Sequence, residues 1–207
     1  VPDRLRHGRL GPVNPQRDVR ISKYLSRHLR HDPGRIGLVL DTHGWTPVEV
    51  LLRAAADHGF PFTRAELEHV VAANDKQRFA LDAVGDRIRA QQGHSVEVEV
   101  DLGLPDAEPP EWLYHGTVAR FLDAVRAEGL RPMSRHDVHL SPDRETAQRV
   151  GARRGRPLVL AVAAGEMHRD GHTFRLSGNG VWLTEAVPPR YLRMREPEGR
   201  PAPPRQA

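Results

Sequence analysis

The chain contains no cysteine, which excludes disulfides and thiolate metal sites. Lysine is almost missing. Of 31 Lys and Arg residues, only Lys23 and Lys76 are lysine. Arginine, a planar fork suited to phosphate, supplies nearly every other positive charge, and the two lysines stand either by chance or where a compact ammonium is needed. Aromatic residues make up only 5%. No apolar run approaches transmembrane length and the first residues lack a signal-peptide core, so a soluble cytoplasmic protein is expected. There is no Walker-type glycine loop, no dinucleotide fingerprint and no G-x-S-x-G. His168 and His172 have the spacing of helical metal ligands, but Gly171 interrupts them and there is no HExxH, so no metal is expected. No internal repeat is present.

What is present is unevenly charged. The 207 residues carry a net charge of +4, enough chain for one or two domains. Residues 1–40 hold nine Arg or Lys against three Asp, a concentration that favours a polyanion such as nucleic acid. A helix is predicted over 18–31. Plotted at about 100° per residue, Ile21, Tyr24, Leu25 and Leu29 form a buried stripe. Arg20, Lys23, Arg27, Arg30 and His31 form an adjacent basic one, and Pro33-Gly34 ends the helix.

Residues 1–17, rich in Arg, Gly and Pro, read as a mobile basic arm. After the basic helix, Leu38–Leu40 reads as a strand. Thr46-Pro-Val-Glu49 and Thr63-Arg-Ala-Glu66 read as capping boxes opening helices to about His58 and Ala73. Phe79–Asp82 and Arg87–Arg89 read as a hairpin turning through Gly85. That order is the order of a winged helix over 18–100. Residues 101–111, acidic and proline-rich, read as an interdomain linker. Beyond it come strands at Trp112–Tyr114, Val138–Ser141 and Pro157–Val162, and helices over 118–128 and from Ser141-Pro142. A hairpin, Phe174–Leu176 with Val181–Leu183, turns through an Asn179-Gly180 pair of type I′ character. The pattern is α+β on antiparallel strands over 112–194, and the proline-rich 195–207 reads as a disordered tail.

Chemistry-bearing residues cluster in a few short stretches. Tyr114-His-Gly-Thr117 and His139-Leu-Ser141 each end a strand with a histidine. A histidine and a hydroxyl can fix a ribose, while Gly116 lets backbone approach a flat ring. Arg78 stands beside a strand Phe79 whose burial would fix it, as a bidentate phosphate grip requires. Val150-Gly-Ala-Arg153-Arg154 is a basic loop after a helix.

These motifs, in order, resemble one family. Ser22-Lys-x-Leu-Ser26 with Leu29-Arg-His31, Lys76-x-Arg-Phe79, Tyr114-His-Gly-Thr117, His139-Leu-Ser141, Val150-Gly-x-Arg153, Ser177-x-Asn-Gly-Val-Trp-Leu-Thr184 and Val187-Pro-Pro-x-Tyr-Leu192 look like the RNA (tRNA) 2′-phosphotransferases across residues 18–193. The resemblance implies a winged-helix lobe and an ADP-ribosyltransferase-like lobe. It implies an NAD+-consuming enzyme whose partner is 2′-phosphorylated RNA. A monomer with no metal and no membrane association is expected, the oligomeric state being open to the sequence. The 2′-phosphate would attack the nicotinamide ribose and expel nicotinamide. The 2″-hydroxyl would then attack phosphorus, leaving 2′-hydroxyl RNA and ADP-ribose 1″,2″-cyclic phosphate. The resemblance assigns catalysis to Arg30, His31, Arg78 and Arg153. It assigns RNA-phosphate contacts to Lys23, Arg30, His31, Lys76 and Arg78. It assigns NAD+ contacts to His115, Gly116, Thr117, His139, Leu140, Ser141, Arg153, Asn179, Gly180 and Val181. Val181 stands where many ADP-ribosyltransferases carry glutamate. The family has histidine after its fourth arginine and this chain has Arg154, which leaves Arg153 and Arg154 both open for that role. The alternatives are a mono-ADP-ribosyltransferase acting on nucleic-acid ends and a non-enzymatic NAD+-sensing winged-helix regulator.

Overall fold

The computed structural model describes residues 15–74, 77–95 and 97–193. The first fourteen residues of the expected arm, Lys76, and the expected tail 195–207 lie outside the described residues. The chain divides into two compact units, Val1–Leu102 and Gly103–Ala207. It is a mixed α+β protein of small antiparallel sheets. Among the described residues no helix is long and apolar enough to cross a membrane.

Unit 1 is built on α1 (Pro15–Arg30). The helix starts three residues earlier than its periodicity suggests, because Pro15 suits the first helical position and Arg17 is held by Glu66 at 2.9 Å. Ile21, Leu25 and Leu29 are fully buried, and Tyr24 stacks on Phe60 with ring centroids 4.5 Å apart. α2 (Val48–Asp57) and α3 (Arg64–Ala72) complete the helices. The Thr63/Glu66 capping box forms in full. The Thr46/Glu49 box does not. Thr46 and Pro47 instead make β1, paired with β3 (Arg87–Ala90) in the register Thr46↔Ile88. Sheet pairing takes Thr46 out of cap geometry, and its Oγ1 is buried with no hydrogen bond among the described residues. β2 (Phe79–Leu81) pairs with β3 as the expected hairpin, giving the order β1-β3-β2. Leu38–Leu40 is not a strand. It follows the 3-10 turn Gly34–Ile36, and Leu38 N–H bonds back to the Pro33 carbonyl at 3.0 Å.

The division at Leu102–Gly103 falls within 101–111, and that stretch is hydrogen-bonded on both sides. Asp101 N–H donates to the Thr42 carbonyl at 2.8 Å, and Ala107 N–H donates to the Phe174 carbonyl at 2.8 Å.

Among the described residues unit 2 has two three-stranded sheets. In one, β4 (Leu113–Val118), β6 (Pro157–Val162) and β9 (Leu192–Arg193) lie in the order β4-β6-β9. In the other, β5 (Val138–Leu140), β7 (Arg175–Leu176) and β8 (Trp182–Thr184) lie in the order β5-β8-β7. Reciprocal bonds between Tyr114 and Ser141 at 2.9 and 2.8 Å join them. The helices are α4 (Leu122–Glu128), α5 (Arg144–Gly151) and α6 (Ala164–Arg169). The helix expected from Ser141-Pro142 begins later, at Arg144. Ser141 is used by the bridge to Tyr114, and Asp143 caps instead, accepting from Thr146 N–H at 2.7 Å. α5 packs directly on β4. A Cβ at Gly116 would meet the Ala147 carbonyl oxygen at 1.8 Å, so glycine is demanded there by helix-on-sheet packing, independently of any ligand.

Candidate functional site

The candidate residues fall into one group on each unit. In unit 1 the group grows out of the end of α1. Pro33 has no N–H and disfavours helical geometry at Asp32, so the helix stops at Arg30. His31 and Asp32 N–H both close on the Arg27 carbonyl, at 2.9 and 3.0 Å. The apolar stripe below holds this end in the core. Arg30 is not on a solvated face: it is 8% exposed. Its Nη2 donates to the Arg78 carbonyl at 3.3 Å, and its guanidinium carbon lies 5.7 Å from the centroid of the Phe79 ring. A buried guanidinium is expensive unless hydrogen-bonded, and a protein does not carry one into a core without a use for it or a partner.

Arg78 is fixed from both sides. Its carbonyl also accepts from Gln91 N–H at 2.9 Å. Gln91 Nε2 donates to the Gln77 carbonyl at 3.0 Å. Gln77 has φ of +39°, a left-handed conformation that a long side chain adopts only when its surroundings impose it. The strain sits next to the arginine it presents. His31 is exposed, and its Nδ1 lies 2.7 Å from Ser95 Oγ. Ser95 N–H donates to the Arg30 carbonyl at 2.9 Å. Lys23 is exposed on α1.

In unit 2, His115 on β4 and His139 on β5 are coupled. His115 Nδ1–H donates to the His139 carbonyl at 3.0 Å. His139 Nδ1 lies 2.9 Å from Arg135 Nη1. A guanidinium only donates, so His139 Nδ1 is the lone pair and its proton is on Nε2. Burial lowers the His115 pKa, opposed by the bond to the His139 carbonyl, and the nearby charge of Arg154 lowers it further. His115 is thus neutral at pH 7 with its lone pair on Nε2. The two rings offer one acceptor and one donor. Arg153 and Arg154 stand in the 3-10 turn Ala152–Arg154 that follows α5. Burial lowers the Arg135 pKa, and the charges of Arg154 and then Arg153 lower it again. Three guanidinium groups and two imidazoles therefore share one neighbourhood, an arrangement that suits a bound polyanion bearing hydroxyls.

Thr117 and Leu140 are buried within β4 and β5. Asn179, Gly180 and Val181 belong to a turn closed by its own hydrogen bonds. Gly180 N–H bonds the Ser177 carbonyl at 2.9 Å, and Ser177 Oγ bonds Asn179 Oδ1 at 2.7 Å and the Val181 carbonyl at 2.9 Å. Asn179 does not have positive φ, whereas Gly180 has φ of +77°. The turn is thus a left-handed glycine after an i to i+3 turn, not type I′. Of the four residues assigned to catalysis, Arg30 and His31 are consecutive at the end of α1, the Arg78 carbonyl accepts from the Arg30 guanidinium, and Arg153 belongs to unit 2. Motif reasoning missed Ser95 and Arg135. Both sit in irregular segments with no period to read, and only their hydrogen bonds reveal them.

Fold and site together describe a mixed α+β protein with two cation-and-imidazole groups suited to phosphate esters. The description "RNA 2′-phosphotransferase, Tpt1 / KptA family" matches residues 16–186. Among curated proteins, a "Probable RNA 2′-phosphotransferase" of Streptomyces griseus is 70% identical over 190 residues, covering 88% of this chain and all of that protein. The Streptomyces coelicolor protein of the same name is 68% identical over 185 residues, 89% of this chain and all of its own length. That of Trichormus variabilis is 54% identical over 178 residues, 86% of this chain and 97% of its own. This chain belongs to the RNA 2′-phosphotransferase, Tpt1/KptA family.

Proposed function

We propose that this protein is an NAD+-dependent RNA 2′-phosphotransferase. It removes an internal 2′-phosphate from RNA through an ADP-ribosylated 2′-phospho-RNA, and it releases nicotinamide and ADP-ribose 1″,2″-cyclic phosphate. The observation that carries this reading is the buried Arg30 bonded to the Arg78 carbonyl, with His31 beside it. We read unit 1 as a winged helix: three helices precede or flank a β1-β3-β2 sheet whose β2–β3 hairpin is the wing. We read unit 2 as an ADP-ribosyltransferase-like lobe.

The donor set of unit 2 fits NAD+. The His115 Nε2 lone pair and the His139 Nε2–H suit ribose hydroxyls, while Arg135, Arg153 and Arg154 suit a diphosphate. When bound, NAD+ supplies an electrophilic ribose carbon and a leaving group. The remaining work is positioning and charge management. Arg30 and Arg78 grip the 2′-phosphate of the RNA. Lys23 adds a point charge, and Lys76 is assigned the same role by motif. His31 takes the proton of the 2″-hydroxyl and returns it to the departing RNA 2′-oxygen. Arg153 meets the charge that builds as phosphorus becomes crowded.

The test is incubation of the protein with a 2′-phosphorylated oligonucleotide and NAD+. The expected products are 2′-hydroxyl RNA, nicotinamide and the cyclic phosphate. Accumulation of ADP-ribosylated RNA without cyclic phosphate would move the reading to a mono-ADP-ribosyltransferase. NAD+ binding with no nicotinamide release would leave a sensor.

A further inference from the structure

Ser95 follows β3 and touches both members of the Arg30-His31 pair. Its N–H donates to the Arg30 carbonyl at 2.9 Å, and its Oγ lies 2.7 Å from His31 Nδ1. His31 is exposed at a helix end, where packing does little to fix a ring. The 2.7 Å contact is a restraint on the imidazole.

The kind of partner matters as much as its presence. His28, His43, His58, His115 and His168 each place Nδ1 against a backbone carbonyl. A carbonyl only accepts, so it holds a proton on Nδ1. A carboxylate would also only accept, and would favour the imidazolium. A serine hydroxyl does both. Turned one way it donates to the Nδ1 lone pair; turned the other it accepts from Nδ1–H. The ring keeps its anchor whichever state it is in.

We infer that Ser95 is a positioning residue for the phosphotransfer. It holds the His31 ring by Nδ1 through both protonation states, so that Nε2 accepts one proton from the attacking hydroxyl and returns one to the leaving 2′-oxygen without changing place. The proton count is balanced over the cycle, and the hydroxyl turns without being consumed. The same residue ties the ring to the Arg30 backbone, so the cation and the acid–base group move as one piece. This inference rests on the role given to His31 above.

The experiment compares Ser95→Ala and Ser95→Thr in the full chain. Removing a whole general acid–base group loses about 10²–10⁴-fold. Loosening one loses part of that, so Ser95→Ala is expected to lower kcat about 10- to 100-fold, with KM for NAD+ and for RNA within about twofold of wild type. Ser95→Thr keeps the hydroxyl and is expected to recover most of the rate. The backbone N–H bond to Arg30 survives both changes, so the thermal midpoint stays with wild type. Nitrogen NMR of the imidazoles gives a readout apart from turnover: the His31 Nδ1 resonance should move in Ser95→Ala and stay in Ser95→Thr. Wild-type kcat in Ser95→Ala, equal loss in both variants, or an unmoved His31 Nδ1 resonance in Ser95→Ala overturns the inference. Wild-type protein that is inactive on 2′-phosphorylated RNA overturns the functional reading instead, and the NMR comparison still decides the contact.

Discussion

Replacing Gly116 with alanine is the sharpest test of how unit 2 is built. The added methyl would lie 1.8 Å from the Ala147 carbonyl oxygen, 2.8 Å from its carbon and 2.8 Å from Gly151 N. Carbon–oxygen contacts settle at about 3.3–3.6 Å, so α5 and β4 must part by about 1.5 Å. All three obstructing atoms are backbone in a helix, and no rotamer change can absorb the clash. Overpacking typically costs about 1–3 kcal/mol and occasionally more; this site belongs at or above the top of that range. At about 2–4 °C per kcal/mol for a chain of this size, the thermal midpoint should fall by roughly 6–12 °C. Gly116 does not have positive φ, so the effect is one of packing alone. Gly34→Ala is the control: nothing lies within 4 Å of the place its new methyl would take, and it should stay within about 0.5 kcal/mol of wild type. Because the turn bearing Arg153 and Arg154 follows α5 directly, folded Gly116→Ala protein should also lose activity below its melting range. A midpoint within about 2 °C of wild type would refute the α5-on-β4 packing.

Arg30→Met should lower turnover on 2′-phosphorylated RNA at least about 100-fold in protein that circular dichroism shows to be folded. Retained turnover would sink the phosphate role. Gln77→Gly relieves a strain of about 1–3 kcal/mol and adds about 0.5–1 kcal/mol of chain entropy to the unfolded state, so chemical denaturation should show a neutral to modestly more stable protein; a loss above about 1 kcal/mol would refute the strain. Glu66 has its pKa lowered by the Arg17 side chain first and by the Thr63 N–H next. Its stabilisation is therefore present above the ordinary carboxylate range and lost as pH falls through the depressed folded value. Denaturation at neutral and acid pH should show wild type and Glu66→Gln converging on the acid side, and a constant gap between them would contradict this.

Where local chemistry decides, the chain was readable. The Thr63/Glu66 cap, the β2–β3 hairpin and the stripe Ile21, Leu25, Leu29 each depend on residues a few positions apart. Thr46 carries the same signature as Thr63, yet it was claimed by pairing with Ile88, a partner far along the chain. Ser141 lost its cap role to Tyr114 in the same way. The basic stripe of α1 was legible as a stripe, but not the fact that Arg30 leaves it for the interior. That depends on Phe79 and on the Arg78 backbone, which no periodicity in α1 reports. Ser95 and Arg135 needed three dimensions altogether.

The division at Leu102–Gly103 cuts the chain once, with each unit made from a continuous stretch. On a ribosome this sets a schedule. Two late long-range bonds of unit 1, from Ser95 to Arg30 and from Asp101 to Thr42, become possible as soon as those residues clear the exit tunnel. At about 5–20 residues per second, the roughly 100 residues of unit 2 take some 5–20 seconds to make, and unit 1 can settle during that time. Arg30, His31 and Arg78 all lie in the stretch made first, so unit 1 can bring their backbones together while the turn that carries Arg153 does not yet exist.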